Sequence, residues 1–477
     1  MNIAAISTAP GIGGIAVIRV SGPNAIDIVS SIFTPSKKDH QLDTRASHTL
    51  TYGQIIQPDG SLLDEVVISL YKSPHSFTGE NVIEISCHGS LYVQQAILSR
   101  LIEQGCRLAD PGEFTRRAFS NGRMDLSQAE AVADLIASEN AAAHRIAINQ
   151  MKGGFSQKLA ELRLKLVDLC TLLELELDFS EEDVEFADRS QLAAIAEDIR
   201  KTVSKLADSF QTGNAIKNGI PVTIIGETNA GKSTLLNRLL GDDKAIVSDI
   251  HGTTRDVIED TSIMNGILLR FIDTAGIRET SDKIESIGIE RTFQRIEQAR
   301  IILWMIDGTR LGDNDLANEL ISDAQETFKR IVPHLRTEQH LYVVINKTDL
   351  ITPKALSIHL PRLQEVLTSE YCPSQYISIS AQKGDGIEQL TTLLHQTITL
   401  PSLSEGDVII SNLRHYEALS HAREAIERVL IGLNSQLSGD LIAEDIKECN
   451  HWLGSIVGEI SSSEILASVF GRFCIGK

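Results

Sequence analysis

Basic residues are the scarce charge in this chain. Its 477 residues carry 44 Lys and Arg against 64 Asp and Glu, a net charge of −20. An acidic surface repels a phosphate backbone, which excludes broad electrostatic coating of nucleic acid. A nucleic-acid partner must meet a local basic patch or be carried by another protein. Cysteine is also sparse: six residues, at 87, 106, 170, 372, 449 and 474, with no C-x-x-C pair. That pattern speaks against a disulfide framework and fits reduced thiols in the cytoplasm. No apolar run approaches the ~18 residues of a membrane-spanning helix, and no basic-plus-apolar leader opens the chain. A cytoplasmic protein with no membrane partner is therefore expected. Internal repeats and low-complexity tracts are absent as well. The length calls for about two to four domains.

What the chain does have is four short motifs in order. They are Gly226-Glu-Thr-Asn-Ala-Gly-Lys-Ser233, Gly252-Thr-Thr-Arg-Asp256, Asp273-Thr-Ala-Gly276 and Asn346-Lys-Thr-Asp349. The first fits G-x-x-x-x-G-K-S. The apolar run Val222–Ile225 leads into it, and a helical stretch, Lys232–Leu240, leads out to Gly241. That strand–loop–helix context separates a P-loop from a chance match. Backbone N–H groups of such a loop wrap phosphates, Lys232 reaches the β- and γ-phosphates, and Ser233 takes one site on Mg²⁺. Asp273, at the end of the run Ile267–Ile272, is expected to hold Mg²⁺ through water, with Thr254 as the second protein ligand. Asp349 names the purine: its carboxylate accepts from N1–H and the 2-amino group of guanine, and adenine offers neither donor. The site expected from these motifs is Asn229, Ala230, Gly231, Lys232, Ser233 and Thr234. To it belong Ser248, Asp249, Ile250, His251, Gly252, Thr253 and Thr254, then Asp273, Thr274, Ala275 and Gly276. Around the base lie Asn346, Lys347, Asp349, Ser380, Ala381 and Gln382, with a backbone N–H of the Ser380-Ala381 turn on the guanine oxygen.

Hydrolysis needs a water-orienting group and positive charge. Ile277 follows Gly276, where Ras-like GTPases place Gln. Ile277 cannot orient water. Glu279, Asp282, Glu285 and Glu290 all lie within reach in sequence, and the residues alone do not choose among them. For the charge, Asn229 offers an amide oxygen beside the phosphates, where backbone carbonyls of the next loop could complete an oxygen cage for a monovalent cation.

The chain reads as multidomain, α+β and α/β. Residues 1–120 alternate like strands, at Ile15–Val20, Thr49–Gln57, Leu62–Tyr71 and Val82–Ile85, with a helix over Leu91–Gln104. Residues 121–216 turn helical: Leu162, Leu166, Leu169, Leu173 and Leu177 recur on one face. The P-loop domain occupies 217–400, and a second helical stretch fills 401–477. Two helical stretches around a complete α/β domain predict one discontinuous all-α domain with a Ras-like P-loop domain inserted. The run Glu181-Glu-Asp183 is a solvated loop. His88 is read as structural, and Arg116 and Arg117 as an exposed helix face.

Further markers lie at both ends: Thr8-Ala-Pro-Gly-Ile-Gly-Gly14, Ser76-Phe-Thr-Gly-Glu80, Cys87-His-Gly89, Pro111-Gly-Glu-Phe-Thr-Arg-Arg-Ala-Phe119 and Phe473-Cys-Ile-Gly-Lys477. With the four motifs they make the chain resemble, over its full length, the MnmE (TrmE) family of tRNA modification GTPases. The resemblance implies an α+β folate-binding N-terminal domain that forms homodimers, and a potassium-stimulated GTPase domain. It implies action with the flavoprotein MnmG, which carries the FAD, on the wobble uridine of tRNA. There a carboxymethylaminomethyl or aminomethyl group is added to carbon 5, using a one-carbon unit from 5-formyl- or 5,10-methylene-tetrahydrofolate. Carried over residue by residue, Asn229, Ser248, Ile250 and Thr253 fall on the K⁺ site, and Glu285 on the glutamate that positions the attacking water. Arg19, Glu84, Arg123 and Lys477 fall on the folate site. Cys474 falls on a cysteine that the family needs for tRNA modification and not for GTP hydrolysis. Ile12, Ser90, Arg123, Glu227 and Thr228 depart from the family's commoner residues. The competing reading is a ribosome-assembly type regulatory GTPase, which would call for an appended RNA-binding module and a basic balance.

Overall fold

The computed structural model describes residues 1–37, 39–178, 189–241, 260–264, 267–272, 293–336, 339–367, 375–397, 408–435, 437–459, 463–471, 473 and 475–476. The chain divides into two compact units. One is Met1–Ala137 with Ala147–Ala207 and Leu413–Lys477; the other is Ser138–Ile146 with Asp208–Asn412.

The first unit opens with a seven-stranded sheet: β1 (Ile3–Ile6), β2 (Ile15–Ser21), β3 (Phe33–Pro35), β4 (Thr49–Ile56), β5 (Leu62–Tyr71), β6 (Val82–His88) and β7 (Arg107–Leu108). Their order is β3-β4-β5-β6-β2-β1-β7, antiparallel throughout except where β1 meets β7. Period-two alternation sends Ile18, Val20, Ile68, Leu70, Ile83 and Ile85 to one face, where helices Ala25–Ile32 and Leu91–Glu103 cover them. Val17, Arg19, Glu84 and Ser86 are only half-buried, and Ile15 and Leu50 are exposed. Gly89 is forced by crowding: a Cβ there would lie 2.3 Å from the Gly13 carbonyl, so two of the family markers close on each other. Ser90 follows at φ −73, an ordinary backbone that needs no glycine, so this departure costs the local geometry nothing.

The helical part holds Leu126–Ile136, Gly154–Asp178, Arg189–Asp208, Leu413–Asn434, Gly439–Val457 and Ser463–Phe470. Leu162, Leu166, Leu169 and Leu173 are buried, as their spacing requires; the side chain of Leu177 and the Glu181–Asp183 run lie outside the described residues. A buried ion cluster joins the two stretches. Arg414 donates from Nε and Nη2 to the two carboxylate oxygens of Glu130 at 2.9 Å each, and His415 Nε2 lies 2.5 Å from Oε2. Burial pushes the Glu130 carboxyl up, and the charges and hydrogen bonds of His415 and Arg414 outweigh it, leaving it at about 2. Residues 284 positions apart thus meet in the interior of one helical body.

The second unit is built on β8 (Ile220–Gly226), β9 (Asp260–Met264), β10 (Ile267–Phe271), β11 (Ile301–Asp307), β12 (His340–Asn346) and β13 (Gln375–Ser378). Their order is β13-β12-β11-β8-β10-β9, parallel except for β9 against β10. The central strands are apolar along their length because both faces are covered. Leu235, Leu236, Leu239, Leu390 and Leu394 pack on one face; Leu320, Phe328 and Leu363 pack on the other. Loops leaving the carboxyl ends of β8, β12 and β13 converge, which is where open α/β sheets bind ligands.

Candidate nucleotide-binding site

The loop after β8 is shaped by close approach. A Cβ at Gly231 (φ 96) would lie 2.1 Å from Asn346 Nδ2, and one at Gly226 would lie 2.3 Å from the Met305 carbonyl. Only glycine lets the ends of β11 and β12 come this near. Asn229 is exposed at φ 66, a left-handed conformation that Asn tolerates better than most residues. Gly231 caps the helix Lys232–Leu240, whose first turn carries Lys232, Ser233 and Thr234. The Lys232 ammonium donates to the carbonyls of Gly226 and Glu227, both at 2.7 Å. Burial lowers its pKa, against the pull of the Glu227 charge. The cation is held at the mouth of a loop whose peptide groups frame an anion site.

Asn346 ties three loops together. Its Nδ2 donates to the Ala230 carbonyl at 2.8 Å, and its Oδ1 accepts from the Ala381 N–H at 2.9 Å. The side chain is buried. Lys347, at φ 62, reaches back to Asp307 with Nζ 2.7 Å from Oδ2. Burial pushes the Asp307 carboxyl up, but hydrogen bonds from Lys347 and Thr309 bring it below its ordinary value. Asp349 has 9% of its side chain exposed, with Lys383 Nζ at 3.6 Å. A hydrogen bond from the Ser380 hydroxyl, above all, holds its carboxyl below the usual range. Asp349 is thus an anionic acceptor in a recess, the group a purine with adjacent N–H donors requires.

The P-loop residues Asn229–Thr234 and the base-side residues Asn346, Lys347, Asp349, Ser380, Ala381 and Gln382 share one end of the sheet. Ser248–Thr254, Asp273–Gly276 and Glu285 lie outside the described residues, as do Cys474 and Lys477. Sequence reasoning missed Asp307 as the partner of Lys347. Asp307 ends the strand that pairs with that of Asn346, a neighbour relation that linear spacing does not mark.

In the first unit Arg19 and Glu84 face each other across β2 and β6. Arg19 Nε and Nη2 both donate to Glu84 Oε1, at 3.0 and 2.8 Å. The guanidinium also lies 5.5 Å from the Phe77 ring centroid and 5.6 Å from that of Phe114, two aromatics that sequence reasoning did not single out. Arg123 is exposed, and its aliphatic stem approaches Gly79, two residues along the loop from Phe77. The segment Ser76–Glu80 therefore touches both arginines. Arg117 overturns its reading as an exposed helix face. It is 15% exposed and bonds Glu80 at 2.8 Å and Glu113 at 3.0 Å. The tail returns to this sheet: the Gly476 carbonyl accepts from Ser7 Oγ at 3.0 Å, at the end of β1.

The sheet order, the P-loop and the Asn346–Asp349 segment define a P-loop GTPase. The model for the MnmE helical domain matches residues 126–474, and that for the GTP-binding protein TrmE N-terminus matches residues 2–123. The tRNA modification GTPase MnmE of Parabacteroides distasonis is 54% identical, covering 100% of both chains. Those of Bacteroides thetaiotaomicron and Flavobacterium johnsoniae are 53% and 47% identical, each covering 100% of this chain and 99% of its own. A solved GTP-binding protein of Sulfolobus solfataricus in complex with GDP shares 20% identity at a TM-score of 0.27, covering 50% of this chain and 66% of that one, too loose a likeness to bear on function. The chain belongs to the MnmE family.

Proposed function

We propose that the protein is a potassium-stimulated GTP hydrolase that modifies the tRNA wobble uridine. In this reading it acts as a homodimer with the flavoprotein MnmG, which brings the FAD. It adds a carboxymethylaminomethyl or aminomethyl group to carbon 5 with a one-carbon unit from a tetrahydrofolate derivative. What supports the reading is full-length family membership together with a base recess built on Asp349 and Asn346 that suits guanine.

Within this reading, Mg²⁺ on Ser233 and Thr254, and K⁺ on Asn229, Ser248, Ile250 and Thr253, would supply the positive charge that GTP hydrolysis develops a need for. Lys232 binds the phosphates through an ammonium already held in the loop, and Glu285 positions the attacking water. In the first unit Glu84 presents an acceptor for pterin donors, since both bonds from Arg19 fall on Oε1. Arg19, Arg123 and Lys477 suit the carboxylates of a glutamyl tail. Cys474 serves the modification step alone.

Quenching of intrinsic fluorescence by 5-formyl-tetrahydrofolate tests the folate part, and wobble nucleoside analysis of cells lacking the gene tests the whole. Saturable quenching and loss of the modified uridine are expected. No folate binding, with tight GTP-dependent ribosome binding, would favour the ribosome-assembly alternative. Cys474→Ser should leave GTP turnover intact and abolish modification; equal loss of both refutes a separate role.

A further inference from the structure

We propose that Arg238 is a positioning residue for guanine recognition: by gripping the carbonyls of Ala381 and Gln382, it aims the Gln382 peptide N–H at the purine's O6 oxygen. This rests on the guanine-nucleotide reading of the site. Arg238 lies on the helix that starts with Lys232 and Ser233. Its Nε donates to the Ala381 carbonyl at 3.2 Å and its Nη2 to the Gln382 carbonyl at 2.7 Å. These are charge-assisted bonds from one rigid fork to two successive peptides.

The other N–H groups of this turn are committed. That of Ser380 goes to the Asp385 carbonyl at 2.9 Å, and that of Ala381 to Asn346 Oδ1 at 2.9 Å. That of Lys383 goes to Ser380 Oγ at 3.2 Å, and that of Gly384 to the Ser380 carbonyl at 2.7 Å. Gln382 N–H makes no hydrogen bond among the described residues. It shares a planar trans peptide with the Ala381 carbonyl, so the two point in opposite directions. A guanidinium that fixes the carbonyl on one side fixes the N–H on the other. Gly384, at φ 95, keeps the space open: a Cβ there would lie 3.1 Å from Arg238 Nη1. One helix thus presents Lys232 and Ser233 to the phosphates and braces the loop that reads the base. Adenine carries a donor where guanine carries O6, so this N–H discriminates independently of Asp349.

The test is a comparison of GDP, inosine diphosphate and 6-thioguanosine diphosphate, by calorimetry on the full chain and on Arg238→Ala. Inosine keeps O6 and lacks the 2-amino group that faces Asp349. The thio analogue keeps both donors and replaces O6 with a poor acceptor. Losing one aimed hydrogen bond should weaken GDP and inosine diphosphate alike by about tenfold. The thio analogue should change little, so the wild-type preference for oxygen over sulfur disappears. Arg238→Lys, a charge without the fork, should recover only part of that preference. Gln382→Pro removes the N–H and leaves Arg238 in place, so it should abolish the same preference should Arg238→Ala fail to fold. Equal loss for all three nucleotides, or no loss, overturns the proposal. Wild-type protein that binds GDP no better than ADP overturns the guanine reading and this proposal with it.

Discussion

Replacing Asn346 with Ala is expected to destabilise the α/β unit even without nucleotide. The amide is the donor to the Ala230 carbonyl and the acceptor for the Ala381 N–H. Ala230 and Ala381 are 0% and 1% exposed, so water does not replace the lost partners. Each stranded backbone group costs about 1–3 kcal/mol, or roughly 2–6 kcal/mol for the pair. With a urea slope of about 2 kcal/mol per molar, the midpoint should fall by roughly 1–3 M. The chain has two tryptophans, Trp304 and Trp452, and Trp304 lies in the core of this unit. A Trp452→Phe background therefore isolates its signal. Asn346→Asp sharpens the test. It keeps the acceptor for Ala381 and sets an oxygen where the 2.8 Å bond to the Ala230 carbonyl was donated. It should be at least as damaging as alanine. A midpoint within ~0.2 M of the parent, which is under about 0.5 kcal/mol at that slope, would refute the claim that Asn346 braces the loops before it meets a base.

Three further outcomes are expected. Gly231→Ala should reduce GDP affinity by more than about tenfold, because the new Cβ falls 2.1 Å from Asn346 Nδ2 at a φ strained for alanine; near-native binding would contradict the crowding argument. Burial pushes the Glu113 carboxyl up, but hydrogen bonds from Arg107, the Asp110 N–H and Arg117 prevail and bring it from 4.5 to about 2. Its contribution, on the order of 3 kcal/mol, is then full above pH ~4.5 and lost as pH falls towards 2. The stability gap between wild type and Glu113→Gln should close over that window in acid titrations of the first unit, and a gap independent of pH would count against it. Asn229→Ala should abolish the preference for K⁺ over Na⁺ in GTP turnover, and an unchanged ratio would remove Asn229 from the cation site.

How much of this was legible in the sequence depends on where the determining contacts lie. The helix Lys232–Leu240 was read to the residue because a glycine bounds it on each side and the phosphate motif fixes its start. β4 and β5 were read closely because a Pro-Asp-Gly turn separates two alternating runs. β1 and β3 were not read: four and three residues are too short for periodicity to show, and both are fixed by pairing with β2 and β4. The helix Ala25–Ile32 was hidden behind Gly22-Pro23, which reads as a strand's end. Charge went wrong for a related reason. Arg117 looks like a solvated helix face by local spacing, yet Glu80 arrives from elsewhere in the chain to bond it, beside Glu113 one turn earlier on its own helix.

The same distinction separates two kinds of functional residue. In the proposed function Lys232, Asn346 and Asp349 act directly on a ligand whose shape is fixed, so their spacing survives as a motif. Arg238 and Asp307 act on other side chains or peptides, and any geometry that reaches the same partner would serve. Nothing in linear spacing marks them; only the fold does. Lys347 illustrates the link. Its motif position is legible, but its left-handed backbone is the last step out of β12, and its ammonium is held 2.7 Å from Asp307 on the neighbouring strand. Because β11 and β12 are in parallel register, Asp307 lies directly opposite Asn346. The carboxylate that orients Lys347 is thus placed by sheet pairing, and shifting that register by one residue would turn it to the other face. The geometry of the Asn346–Asp349 segment is therefore a property of strand registry as much as of the four residues that spell it.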